Sequence, residues 1–290
     1  MSKFLFAAAL AAATAFTPQA FAHGFAGNRF FPATIATEDP AVADELSLPT
    51  ARWRDGESEY ALDFSKTLTP RLGVSLGEAW VDGADGDGFD NLETGIKYQF
   101  VTDAAHETLM SVGLEVEWGG SGAARVGAES VTTLAPSLYF GHGFGAASAD
   151  WAKPFAITGS ISAVIPARGR DDAGDTIPYA MEYGFALEYS LPYLAAHVRD
   201  RGWPDWVNQL TPLVEIAIEQ PVRNSGGEGV TGTINPGLLW SGHRLQLGAE
   251  AIIPINDASG DGVGFALQAH FFIDDIFSRS FGRPVFGRST

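Results

Sequence analysis

The chain has 290 residues, a length that suits one large domain or two small ones, and its formal net charge is −17. This acidity argues against nucleic acid as a partner, because phosphate backbones are bound by clustered Lys and Arg. The sequence contains no Cys, which excludes disulfide frameworks, thiolate metal sites and thiol nucleophiles.

The first 22 residues have the pattern of a signal peptide that directs export. Lys3 gives a positive start, residues 4–16 form an apolar core, and Ala20, Phe21 and Ala22 form an A-x-A cleavage site. The mature chain is therefore predicted to begin at His23. Residues 23–45 have no sustained period and contain two prolines, which predicts an irregular lead segment that plugs the mouth of the following domain.

From residue 46 onward the chain repeats one pattern. In 109–118, LMSVGLEVEW, apolar side chains alternate with small or acidic ones, as in a strand with two different faces. Twelve segments are predicted as strands, of which the first is the weakest because it contains Pro49. These are 46–53, 59–67, 71–80, 92–101, 109–118, 131–141, 155–165, 179–191, 213–220, 230–240, 244–253 and 263–272.

The alternation recurs without the helices or the second apolar layer that a soluble core would need. It therefore predicts an all-β fold, a transmembrane antiparallel up-and-down β-barrel of about 12 strands, with lipid outside and water inside. Residues 46–277 are assigned to this barrel and residues 278–290 to a C-terminal extension. The extension departs from ordinary outer-membrane barrels, in which a terminal aromatic residue is expected.

The links between the predicted strands indicate an orientation. If the first strand runs outward from the periplasm, the short links 67–70, 102–106 and 241–243 are periplasmic. The longer links 81–88, 119–130, 167–177 and 223–229 are then outside, as in outer-membrane barrels. Two periplasmic links break this rule by their length, 142–154 and 192–210, and the second includes a predicted short helix.

Aromatic residues near the predicted strand ends are interpreted as belts at the lipid headgroups. A soluble sheet with aromatic edges is the alternative, but the polar faces are too rich in Gly and Glu to pack a dry core. The belt residues are Tyr60, Trp80, Tyr98, Trp118, Tyr139, Trp151, Tyr189 and Trp240.

The polar face of the predicted strands is strongly acidic and carries one clear base. In a water-filled lumen, such carboxylates favour cations and exclude anions. In the alternative, the carboxylates pair with arginines or stay protonated and fill a closed barrel. The predicted lumen and selectivity residues are Glu59, Asp63, Glu93, Lys97, Glu115, Glu117, Glu182, Glu188, Glu215, Glu219 and Glu250.

One motif resembles a catalytic site. Residues 73–77, GVSLG, match the G-x-S-x-G nucleophile elbow, which requires a strand-to-helix turn that exposes the serine. Here Ser75 lies within an alternating strand, and by parity both Ser75 and His270 point to the polar face. No catalytic triad is supported, and the chain is predicted not to be an enzyme.

Two groups are weak candidates for metal binding, and no cofactor is predicted. Asp82, Asp85 and Asp87 are dense in oxygens, but they lack the ligand spacing of a calcium loop. A plain acidic turn, or loose binding of a divalent ion between lipopolysaccharide groups, explains them. After cleavage, His23 would carry an imidazole and a free amine, a pair suited to copper.

Four segments of the C-terminal half resemble a known family. They are FALEYSLPYL at 185–194, LTPLVEIAIEQP at 210–221, NPGLLWSGHRLQLGAEAIIPI at 235–255 and GVGFALQAHFFIDDIF at 262–277. They are similar to the Gram-negative outer-membrane "transporter" family, also described as phenol-degradation meta-pathway β-barrel proteins. The resemblance implies uptake of small, including aromatic, molecules across the outer membrane.

The expected function is passive or gated passage of small solutes, either cations or small aromatic and hydrophobic molecules. The expected partners are outer-membrane lipid, lipopolysaccharide and the solute, without nucleic acid. The alternatives are a closed structural or surface-interaction barrel and, less favoured, a copper-binding outer-membrane protein. The sequence does not indicate an oligomeric state.

Overall fold

The computed structural model describes residues 24–227 and 229–287. The predicted signal peptide and His23 lie outside the described residues. Twelve long strands form one closed antiparallel sheet. They are β3 (Glu45–Arg54), β4 (Glu57–Thr69), β5 (Leu72–Gly83), β7 (Glu93–Asp103), β8 (Thr108–Glu117), β9 (Thr133–Gly143), β10 (Phe155–Pro166), β11 (Tyr179–Tyr189), β12 (Leu210–Arg223), β13 (Thr231–Ser241), β14 (Leu245–Pro254) and β15 (Gly264–Phe272).

Each long strand pairs with its neighbour along the chain, and β15 pairs with β3 to close the barrel. The predicted twelve-stranded up-and-down barrel is therefore confirmed. Three short strands lie outside this ring. The strands β1 (Phe25–Ala26) and β2 (Arg29–Phe30) form a small hairpin, and β6 (Gly86–Phe89) pairs with the end of β5.

The short helices are α1 (Leu191–Tyr193), α2 (Asp205–Asn208) and α3 (Ile273–Ile276). A π-turn, Leu194–Val198, continues α1, and two 3-10 turns occupy Ala124–Val126 and Asp257–Ser259. Within the described ranges, no helix combines the length and the apolar character that crossing a bilayer requires.

The two faces of the wall differ as the alternation predicts. In β8, Val112 and Leu114 are exposed on the outer face of the barrel. Ser111 of the same strand is fully buried on the inner face. Exposed apolar side chains on other strands, such as Ile96, Leu247 and Leu267, extend this outer surface. An apolar outer band around a polar interior is the arrangement that allows a closed sheet to cross lipid.

The weakest predicted strand, β3, is complete but irregular. Its pairings with β4 and β15 both shift register between Ser47 and Thr50, around Pro49. The bulge absorbs one residue, so the alternation restarts and Arg52 points inward.

The predicted loop 81–88 is wrong in part, because β5 and β6 continue through it as a hairpin with a two-residue turn.

Residues 31–44, here called the internal segment, lie inside the barrel. They contact inward side chains from several strands around the ring, including Glu215 on β12, Gln99 on β7 and Gln246 on β14. The segment returns to the wall at Asp44, which binds Thr67 at one end of β4. We call this end periplasmic, following the predicted orientation.

The interior is not uniformly polar. Ile35 of the internal segment packs against inward-facing Leu213, Leu239, Ile252 and Ala266. The alternating sequence pattern predicts water and carboxylates on this face. Apolar residues occur there because the segment covers this part of the wall and excludes water from it.

Candidate functional site in the barrel lumen

The lumen contains a cavity of about 800 Å³ between the wall and the internal segment. Six of the predicted lumen residues line it, from five different strands. They are Asp63, Glu93, Lys97, Glu115, Glu182 and Glu219. Glu38, Asp39 and Glu45 add further carboxyl groups to the same cavity. Carboxyl groups of both the wall and the internal segment therefore line this cavity.

A second cavity of about 340 Å³ adjoins the first, and two more predicted residues, Glu59 and Glu250, line it. Glu59 forms a salt bridge with Arg52. Arg52 and Arg54 both line this cavity, although the sequence pattern predicts only Lys97 as an inward base. The bulge at Pro49 explains the omission, because regular alternation from residue 46 places Arg52 on the outside.

The remaining three predicted residues line neither cavity. Glu117 accepts bonds from Asn91 Nδ2 (2.8 Å) and Thr133 Oγ1 (3.2 Å). Glu188 is buried and accepts a bond from Thr158 Oγ1 (3.2 Å). Glu215 is buried against the internal segment. Both oxygens of Glu117 and both of Glu215 accept hydrogen bonds from the protein, whereas Glu188 Oε2 is buried without a hydrogen-bond partner among the described residues.

Glu215 holds the internal segment by four hydrogen bonds. The backbone N–H groups of Ile35, Ala36 and Thr37 donate to its carboxylate at 2.8, 3.0 and 2.7 Å, and Thr37 Oγ1 donates at 2.7 Å. These donors would otherwise be buried without a partner, which costs about 1–3 kcal/mol for each group. Glu215 is thus an anchor for the tip of the segment.

Lys97 anchors the other side of the segment. Its Nζ lies 3.0 Å from Glu38 Oε2 and 3.1 Å from the Asp39 carbonyl oxygen, and it lies 4.2 Å from the centre of the Tyr139 ring. Tyr139 Oη donates to Glu115 Oε1 at 2.9 Å. The positive charge of Lys97 is therefore used within the molecule.

Tyr139 corrects the predicted aromatic belt. It is 1% exposed and faces the lumen, whereas Tyr60, Tyr98 and Trp118 are more than 40% exposed. Its ring fits inside because Gly113 lies diagonally across on β8, where a Cβ would lie 3.0 Å from Tyr139 Cε2. The assignment from residue type alone overlooked the strand parity, which also points this residue inward.

Two wall glycines make room for the internal segment. A Cβ on Gly248 would lie 2.6 Å from Ile35 Cδ1, and a Cβ on Gly141 would lie 3.0 Å from Pro40 Cγ. Both distances are shorter than ordinary contacts between non-bonded carbon atoms. The glycines of the inner face are thus used partly to let this segment approach the wall.

Three buried residues at the periplasmic end contact one another and are here called the periplasmic clamp: Arg29, Glu107 and Tyr193. Arg29 Nε donates to Glu107 Oε2 (3.2 Å), and its other nitrogens donate to the carbonyls of Pro154 (3.0 Å) and Lys153 (2.5 Å). The guanidinium carbon lies 3.7 Å from the centre of the Tyr193 ring. One side chain therefore joins the β1–β2 hairpin to three links of the wall.

Local sequence places Tyr193 in the clamp. Ser190 caps α1 by accepting a bond from the backbone N–H of Tyr193, and Pro192 suits the first turn of a helix. Tyr193 Oη donates to Glu107 Oε1 at 2.7 Å. Burial raises the pKa of Tyr193 to about 12, and the bond to Glu107 acts in the same direction. The hydroxyl is therefore a proton donor at neutral pH.

The clamp explains the two long periplasmic links, which break the predicted pattern of short ones. The link between β9 and β10 provides the Lys153 and Pro154 carbonyls, and the link between β11 and β12 provides Tyr193. Both links extend across this end of the barrel to reach Arg29. Sequence reasoning missed this role, because Arg29 lies in a stretch without periodicity.

The other candidate residues are not brought together. Ser75 lies within β5, without the turn that the nucleophile motif requires, and His270 Nδ1 lies 2.9 Å from Ser47 Oγ instead. Asp82, Asp85 and Asp87 are exposed in the β5–β6 hairpin. In the part of the chain that the structure describes, no three His, Asp or Glu side chains are arranged to hold a metal ion.

Comparisons with known proteins agree on the fold. No protein-family model and no curated protein matches the sequence. The KdgM porin is 11% identical with a TM-score of 0.52, over 78% of this chain and 98% of the porin. The NanC porin is 10% identical with a TM-score of 0.51, over 79% of this chain and 98% of the porin. This chain therefore has the barrel fold of outer-membrane porins, while the finer assignment to the phenol-degradation family stays a prediction.

Proposed function

We propose that the protein is a Gram-negative outer-membrane channel that passes small solutes, with a preference for cations, and that the internal segment gates it. The observation that carries this proposal is the 800 Å³ cavity inside a closed barrel, with carboxyl groups from wall and segment around it. Fixed carboxylates in a confined, low-dielectric space lower the energy of cations and raise that of anions. The likeness of the fold to porins supports passage as the activity.

Conductance of the refolded protein in a planar bilayer tests the proposal. We expect stepwise changes in single-channel current. Under a KCl gradient, we expect a reversal potential of the sign that selectivity for K⁺ over Cl⁻ produces. Replacing Glu93 and Glu182 by Gln should move that potential towards zero, because both line the cavity. The exposed pair Asp82→Asn and Asp85→Asn is the control and should change it less. An anion-selective channel would contradict the cation preference.

The gate has a test of its own, since the chain has no Cys. A Cβ added at Gly184 would lie 3.1 Å from Thr37 Cβ, so a small shift of the segment away from β11 gives the roughly 3.5–4.5 Å between Cβ atoms that a disulfide requires. In the variant with Thr37→Cys and Gly184→Cys, oxidation should fix the segment to β11 and suppress conductance, and reduction should restore it. Equal conductance in both states would show that the segment does not gate.

A closed structural or surface-interaction barrel is the second candidate. The periplasmic clamp favours it, because Arg29 is fully buried and joins the links across one end. Liposome swelling separates the two candidates: a channel should admit small sugars, and a closed barrel should not. The predicted uptake of aromatic molecules is supported if the protein makes phenol enter faster than it enters protein-free liposomes.

A further inference from the structure

The second cavity contains a buried carboxyl group without a hydrogen-bond donor. Glu250 is 4% exposed, and in the described chain no N–H or O–H group donates to either of its oxygens. Its neighbours explain this, because Gly237 on β13 and Ala266 on β15 flank it and offer no polar side chain. A buried carboxylate in this situation requires a proton or a cation.

Asn235, two residues from the register partner of Glu250 on β13, repeats the pattern. It is 2% exposed, it lines the same cavity, and within the described residues its Oδ1 has no donor. Asn235 is also the register partner of Glu215 on β12, and Glu215 lies next to Glu250. The site thus presents three oxygens that lack donors, next to a further carboxyl group.

The two bases of the cavity are held by neighbours other than Glu250. Arg52 pairs with Glu59 and donates to the Ile35 carbonyl oxygen at 3.0 Å. Arg54 Nε lies 3.2 Å from Asp55 Oδ2, while its Nε and Nη2 have no hydrogen-bond partner among the described residues. The cavity wall carries three carboxyl groups, Glu57, Glu59 and Glu250, and these two arginines.

We propose that Glu250 and Asn235 bind a primary ammonium group, and that the ligands of this site are small alkylamines. An ammonium group has three N–H donors, which matches Glu250 Oε1, Glu250 Oε2 and Asn235 Oδ1. The apolar side chains of Ile35, Ile252 and Ala266 line the same cavity and suit a short alkyl chain. The inference deepens the proposed function by naming a class of solute, and it rests on that function only for passage through the barrel.

Binding to the refolded full chain in detergent tests the site separately from passage. We expect n-butylammonium to bind by isothermal titration calorimetry, and the neutral analogue 1-butanol not to bind. Glu250→Gln should weaken n-butylammonium binding by about tenfold or more, since a charged hydrogen-bond acceptor is lost. Glu57→Gln removes one charge from the exposed rim of the same cavity and should change the affinity by less than about twofold, because it leaves these bonds intact.

The alternative is a proton shared between Glu250 and Glu215. In that case n-butylammonium and 1-butanol give the same titration, or Glu250→Gln binds n-butylammonium as tightly as the wild type does. Either result overturns the proposal. If Glu250→Gln does not fold, as judged by circular dichroism, Asn235→Ala should still weaken binding, and an unchanged affinity would contradict the proposal. Failure of the channel function shows separately, as absence of liposome swelling by sugars.

Discussion

The barrel wall and the internal segment are held in place by different interactions. The wall is a continuous ladder in which each long strand pairs with two neighbours. The segment, residues 31–44, is held by separate side-chain bonds to Glu215, Lys97, Gln99, Ser111 and Gln246. A ladder shares its stability among many equivalent bonds, whereas each bond to the segment has no substitute. Single substitutions should therefore release the segment without opening the wall.

The largest effect is expected at the periplasmic clamp. Arg29→Met leaves the buried Glu107 carboxylate without its cation, which costs about 3–5 kcal/mol. We expect protease cleavage within residues 24–44 to accelerate, while the wall keeps its resistance to heating in SDS. The double variant with Glu107→Gln should recover part of the loss, because no unpaired charge then remains. Unchanged proteolysis of Arg29→Met would show that the clamp does not hold the segment.

The difference between the regular wall and the internal segment also determines which contacts could be predicted from the sequence. The alternation of 109–118 predicts β8 and the side that each residue faces, because a regular strand has a fixed period. Arg52 and Tyr139 show the limits. The bulge beside Pro49 resets the alternation for Arg52, and the space for Tyr139 depends on Gly113 of a neighbouring strand. The contacts of the internal segment depend on pairs far apart in the chain, such as Ile35 and Glu215, and no local pattern records them.

An intermediate effect is expected on the outer face of the wall. Val112 is 44% exposed near the middle of β8, where we place lipid. Val112→Arg should destabilise the folded barrel by about 2–4 kcal/mol, the cost of a charge at the bilayer midplane. Urea titration of the protein in lipid vesicles measures this, with Val112→Leu as the apolar control. An equal stability of the two variants would argue that this face does not contact lipid.

The smallest effect is expected at Glu215. It gives the sharpest comparison of the segment with the wall, because the substitution changes the chemistry of one anchor while keeping its shape. Glu215→Gln retains an acceptor oxygen for Ile35, but its amide group is a donor and meets the N–H groups of Ala36 and Thr37. The loss of charge-assisted bonds should weaken the hold on the segment by about 1.5–3 kcal/mol. That corresponds to roughly a 10- to 150-fold larger released population.

Single-channel recording of Glu215→Gln measures that population as open probability, with unfolding of the wall monitored in parallel. Glu117→Gln is the matched control: it is the same substitution at a wall carboxylate that bonds Asn91 and Thr133 and has no bond to the segment. If both variants raise the open probability equally, the lumen charge and not the anchor controls opening. If only Glu215→Gln raises the open probability, the hydrogen-bonded strands determine the stability of the barrel and Glu215 determines how often the channel opens. The reason is that the four bonds at Glu215 connect the tip of the segment to β12.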